Sequence, residues 1–124
     1  QLLNLVDDFF IALEKQDTVA FGNMFLEKGY IYAVREITAD STIVRSLPPS
    51  DFRFRPGQIL KERMRKATTS VKINGRIAMV WAPYDLWVNE IFSHCGVDVF
   101  TLMQTSEGWK IASIAYTIET EGCK

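Results

Sequence analysis

The sequence predicts an α+β domain: N-terminal helices packed on a strongly curved antiparallel sheet of about six strands. Three observations carry that expectation. Apolar residues recur at helical spacing between residues 2 and 28, β-branched and aromatic residues dominate from residue 30 onward, and turn signals punctuate that second part. Helices segregated from strands along the chain belong to α+β architecture rather than to alternating βαβ units. The 124 residues are read as one domain, 1–124, long enough to bury a real core.

Residues 2–15 form the first predicted helix. Leu2, Leu5, Val6, Phe9, Phe10 and Leu13 make one stripe, with Asp7, Asp8, Glu14 and Lys15 on the other side. Asp17 is placed to cap a second helix, "TVAFGNMFLEK", which Gly29 would end. The period then changes. "YIYAVREI" and "STIVRSL", joined by "TAD", read as a pair of strands. "PPSDFRFRPG" breaks regular structure twice through its prolines. "QILKERMRKA" reads as a short third helix with Ile59, Leu60, Met64 and Ala67 on one side. Four strands follow in a meander: Asn74-Gly75 is a strong hairpin signal, and further turns fall at Asn89-Glu90 and near Gly108.

Helices this apolar must cover one face of the sheet, and a sheet that long must curve around them. A two-residue turn at Asn89-Glu90 sets the register of the central hairpin. It pairs Trp87 with Phe92, Asp85 with His94, Trp81 with Asp98, Met79 with Phe100 and Ile77 with Leu102, and opposed residues share a face. The other face then carries Ala78, Val80, Ala82, Tyr84, Cys95, Val97 and Val99. Both faces are apolar, so one lines the interior and the other is expected to meet a second copy, giving a homodimer through the sheet. The first face mixes large aromatics with Asp85, His94 and Asp98, as a small-molecule pocket does.

Composition excludes several classes. Apolar residues make up 48% and charged ones 23%, which is ordinary for a globular chain. Fourteen basic and 15 acidic residues leave a formal charge of −1, so no basic surplus exists for nucleic acid. No apolar run reaches the roughly 18 residues of a membrane helix. The N-terminal segment carries acids where a secretory signal would carry Lys or Arg, so a cytoplasmic location is expected. Cys95 and Cys123 are too few for a disulfide scaffold and read as free thiols in a reducing compartment, a single bridge being the other possibility. One histidine and two distant cysteines make no metal spacing, so neither metal nor other cofactor is expected. No Gly-rich phosphate loop, G-x-S-x-G elbow or H-E-x-x-H helix is present.

His94, the only histidine, has two readings. It is a general acid or base whose tautomer Asp85 or Asp98 fixes, or a partly buried residue bonded to a backbone carbonyl. Strand alternation turns Cys95 away from it, which excludes a Cys-His nucleophile pair. Gly96 marks a bend or bulge. Met79, Trp81, Trp87, Phe92 and Phe100 are most simply core. Tyr30, Tyr32, Tyr84 and Tyr116 are better placed for a ligand, because a buried phenol needs a partner. Arg53, Arg55, Lys61, Arg63, Arg65 and Lys66 form either a cationic rim or a solvated helix face.

The helix hairpin followed by a long bent sheet resembles the nuclear transport factor 2-like superfamily, whose fold is a cone with a cavity at its open end. "VWAPY", "SHCGVDVFTL" and "GWKIASIAYTIETEGC" look like its putative lumazine-binding branch. The superfamily includes ketosteroid isomerase, scytalone dehydratase and SnoaL-like cyclases beside many members without catalysis. The isomerase uses a helix-borne Tyr, whereas this chain has Phe9 and Phe10 in that helix, so that role does not carry over. The resemblance favours a pocket-lining His94.

These observations combine into one expectation, a small-molecule-binding domain. His94 and Asp98 are its candidate acid/base groups, and Tyr30, Tyr32, Met79, Trp81, Asp85, Phe100 and Tyr116 line its pocket around a small organic ligand. A cofactor-independent isomerase, dehydratase or cyclase is the second reading, and a homodimeric interaction module with a self-filled cone is the third.

Overall fold

The computed structural model describes residues 1–123. Its elements are α1 (Leu2–Lys15), α2 (Thr18–Asn23), β1 (Phe25–Thr38), β2 (Ser41–Leu47), β3 (Leu60–Met64), β4 (Ser70–Asn74), β5 (Ile77–Val88), β6 (Ile91–Thr105) and β7 (Gly108–Ile118). The fold is α+β. A helix lies on a curved sheet of seven strands in the order β2-β1-β7-β6-β5-β3, with β4 also paired to β5, and the sheet does not close. All pairings are antiparallel except β1 with β7, so the sheet is mixed rather than antiparallel throughout. That parallel pair follows from topology: β1 leaves the helices beside the last strand, and both run the same way.

The core forms where the α1 stripe meets the inner sheet face. Leu2, Val6, Phe9, Phe10 and Leu13 are buried against Val80, Ala82, Phe100, Leu102, Ile111 and Ile114. Phe9 and Phe10 meet the Phe100 ring edge-on, at centroid distances of 5.6 and 6.2 Å. Gln16 closes α1 in the left-handed region, and its side-chain amide donates to the Arg55 and Gln58 carbonyls, tying the 53–58 loop to the helix end. Asp17 caps α2, accepting from the Ala20 amide at 3.0 Å.

Four expectations are corrected. The second helix stops at Asn23, and Gly29 lies inside β1 at a shift in its pairing with β7, where an added Cβ would crowd Phe25 and the Ile111 carbonyl. The expected third helix is instead strand β3 between two short 3-10 turns, because Leu60–Met64 pairs with Tyr84–Val88 and buries alternate residues. Its basic residues do not form one helix face: Arg63 pairs with Glu14, Arg65 with Asp85 and Lys66 with Asp7. Cys95 and Cys123 form a disulfide rather than free thiols. The bridge closes a stretch in which Cys95 and Glu119 already exchange backbone hydrogen bonds, and it removes the ground on which a reducing compartment was expected.

The fourth correction is one of register. Asn89 and Glu90 do form the turn, both with positive φ, and Val88 opposes Ile91 and Trp87 opposes Phe92. Ser93 is then an extra residue on β6, so Leu86 opposes His94, Ala82 opposes Asp98, Val80 opposes Phe100 and Ala78 opposes Leu102. One bulge therefore moves Met79, Trp81 and Asp85 to the opposite face from His94, Asp98 and Phe100. No helix among the described residues is long and apolar enough to cross a membrane.

Candidate functional site

The half of the inner sheet face that α1 leaves uncovered surrounds a cavity of about 240 Å³. Its walls are chiefly apolar, from Phe9, Leu13, Ile31, Phe52, Leu86 and Ile114. Five residues bring polar atoms: Glu62, Tyr84, His94, Asp98 and Tyr116. The register explains their convergence. Glu62 opposes Leu86, which opposes His94, while Asp98 lies between Ala82 and Tyr116.

Asp98 is only 3% exposed and Glu62 9%. The two side chains are joined by a hydrogen bond, which two carboxylates cannot make without a proton between them. Treated as ionised, Asp98 would leave its Oδ2 buried with no hydrogen-bond partner. Burial raises both groups, and the neighbouring Glu62 charge pushes Asp98 up further, well above the usual carboxylate range. Asp98 therefore holds the shared proton and donates it towards Glu62. Among the described residues, no Lys or Arg lines the cavity to offset the pair's charge.

The phenols follow from the same surroundings. Tyr84 is fully buried and donates to the Thr117 carbonyl at 2.6 Å. Burial, then the Asp98 and Glu62 charges, raise it well above the usual phenol range. Tyr116 is raised by burial and by the same two carboxyls. Gly96 stands opposite Tyr84, and a Cβ there would collide with the Thr117 carbonyl that Tyr84 bonds. Gly96 thus permits the close approach that locks one wall. His94 is lowered by partial burial and by the Arg35 charge, so it is neutral at pH 7; its Nδ1 lies 3.0 Å from the Ser93 hydroxyl.

Of the residues singled out in the sequence, His94, Asp98 and Tyr116 share this cavity. Phe100 lies in the closed core behind Phe9. Tyr30 and Tyr32 stack on each other at 5.6 Å on the outer sheet face. Met79 and Trp81 are also on that face, opposite Thr101 and Val99. Asp85 accepts from Arg65 at 2.9 and 2.6 Å and does not touch His94. Trp87 and Phe92 stack at the far end of the β5–β6 hairpin rather than in the core. Glu62 was missed because helical spacing was read into its segment. In "LKERM" an acid between two apolar residues at period two, flanked by Lys61 and Arg63, is the signal that could have found it.

A protein-family model described as "Putative lumazine-binding" matches residues 1–117. The chain belongs to this family. Its fold is similar to that of solved structures described as cystatin-like or nuclear transport factor 2-like. A Nostoc punctiforme protein of unknown function with a cystatin-like fold is 10% identical, with 97% of this chain and 90% of that one covered at a TM-score of 0.70. A nuclear transport factor 2-like protein from Novosphingobium aromaticivorans is 13% identical, covering 96% and 79% at 0.66. One from Streptomyces avermitilis, described as a "putative dehydratase" of that family, is 14% identical, covering 95% and 93% at 0.68. At these identities the likeness is one of fold. No curated protein matches the chain.

Proposed function

We propose that the domain binds a small, largely apolar molecule in the cavity, with the polar end of that molecule meeting the Glu62–Asp98 pair. The observation that carries this reading is the pair itself. Burying two carboxyls beside each other, with no Lys or Arg among the described lining residues, disfavours folding, and Asp98 Oδ2 has no partner outside the pair. A side chain of Leu or Phe at either position would pack the cone at lower cost. The space corresponds to about eight waters at liquid density, enough for one or two fused rings and below the volume of drug-sized sites. The family description points to ligand binding as well.

Titration with indole, followed by amide and methyl NMR shifts, tests the reading. Perturbations should centre on Leu13, Ile31, Leu86, Ile114 and Ile118. Absence of any change there at millimolar indole would sink it.

A second reading is favoured by the shared proton. Asp98 as acid and Glu62 as base sit in one hollow with neutral His94, an arrangement able to move a proton beside a carbonyl without a cofactor. The Streptomyces avermitilis protein described as a dehydratase is consistent with it. Hydrogen–deuterium exchange at the α-carbon of cyclohexenone, catalysed by the wild type and lost in Asp98→Asn, is the expected result. We further propose that the outer face around Trp81, Val99, Tyr30 and Tyr32 joins two copies in a homodimer.

A further inference from the structure

The geometry points to a nitrogen base as the ligand's polar end: an aromatic amine or amidine whose N–H groups bridge Asp98 and Glu62. This deepens the reading of the cavity as a ligand site and rests on it.

The first argument is the balance of donors and acceptors. Asp98 lines the hollow, and its buried Oδ2 has no partner outside the carboxyl pair. Glu62 brings a second carboxyl beside it, deep in the same wall. The Tyr84 hydroxyl spends its proton on the Thr117 carbonyl, and a phenol oxygen remains available only as an acceptor. His94 Nδ1 is paired with the Ser93 hydroxyl. Against these stand the Tyr116 hydroxyl, the shared carboxyl proton and at most one His94 N–H, so the four carboxyl and two phenol oxygens outnumber the donors and the missing complement is a group rich in N–H.

The second argument is charge. Two carboxyls with no Lys or Arg among the described lining residues create a strongly negative site as soon as their proton leaves, and low local dielectric magnifies the attraction for a cation. Arg35 opposes this from the rim, where it lies beside Ile118 in the β1–β7 register. It is exposed, however, and solvent screens it far more than the buried pair. An amidinium matches a carboxylate with two parallel N–H bonds, and its flat ring suits walls of Phe9, Leu13, Ile31 and Ile114.

The proton balance is explicit. A base arriving neutral takes the proton that Asp98 shares with Glu62 and becomes the cation between two carboxylates. A base arriving protonated displaces that proton to solvent. The titratable groups facing it are Glu62, Asp98, His94, Tyr84 and Tyr116, and of these the carboxyl pair holds the proton that the ligand takes or displaces.

The test uses benzamidine and benzamide, which share a shape and differ in charge. Calorimetric titration of the full chain at pH 8, in two buffers of different ionisation enthalpy, should show benzamidine binding about tenfold tighter or more. Its heat should shift between buffers by the amount expected for proton release. Glu62→Gln and Asp98→Asn should each bring the ratio of affinities towards one while benzamide still binds. Two acid-to-amide variants guard against one failing to fold. Benzamide binding as tightly as benzamidine, or a preference that survives both substitutions, overturns the inference while leaving the cavity reading intact. Binding of neither probe, together with no response to indole, overturns both.

Discussion

At Asp98 the strand register turns a carboxyl inward, where Glu62 already sits, and burial makes both hold protons above the ordinary carboxylate range. Such groups bind protons more tightly in the folded chain than in the unfolded one. Their stabilising contribution is complete at acid pH and is lost as the pH rises through the raised values. His94 acts in the opposite sense: its lowered value means that stability falls as the pH drops below the ordinary histidine value of 6.5. Comparison with a variant isolates the carboxyl effect. Asp98→Asn keeps the shape and gives Glu62 an amide donor that never titrates. It should raise stability by about 1–3 kcal/mol at pH 8 and by much less near pH 4, measured in urea melts. An equal gain at both values would mean that the pair shares no proton. At this scale the site was half legible. Asp98 and His94 stood out as polar residues among aromatics, and Tyr116 as a phenol needing a partner, but Glu62 hid in a segment whose apolar residues also fit helical spacing.

At the scale of elements, the differences between expectation and structure trace to single irregularities. Ser93 is one residue, yet by inserting into β6 it exchanges the face of every side chain on β5 relative to β6 beyond it. Nothing in "IFSHC" announces a bulge, since serine fits a regular strand as well. β3 was read as a helix because five residues carry too few periods to tell 3.6 from 2; pairing with β5 decided it. Gly96 was legible as an irregularity, though its reason lay in a distant strand: the Thr117 carbonyl occupies the space of its missing side chain. Gly96→Ala should therefore force β6 and β7 apart and cost about 1–3 kcal/mol in chemical denaturation. Gly22 in α2 has open space around its Cβ direction and serves as the contrast. Gly22→Ala should be neutral or stabilise by about 0.4–1 kcal/mol. Similar losses at both positions would assign the effect at Gly96 to the backbone rather than to Thr117.

Across the whole molecule, the α+β class and the hairpin turns could be read from pattern because each is repeated many times in the chain, whereas the cone came from the family resemblance. Hydrophobic spacing over fourteen residues of α1, or turn chemistry at three hairpins, outweighs any local ambiguity. The role of the sheet's second face depends on such a pattern too. Ile77, Trp81, Met103, Tyr30, Tyr32 and Val34 all remain exposed on strands whose other side is the core, with Trp81 at 45%. Trp81 opposes Val99, and Val99 opposes Ala115, so the patch runs unbroken across three strands to Tyr32 on a fourth. A continuous apolar surface of that breadth is uncommon on a monomer, and the proposed homodimer would cover it symmetrically. Trp81→Arg should then convert a dimer to a monomer in sedimentation equilibrium while changing the urea midpoint of the monomer little, because the residue is exposed on the face away from the core. A wild-type chain that sediments as a monomer at tens of micromolar would remove the dimer, and a Trp81→Arg dimer would move the interface elsewhere.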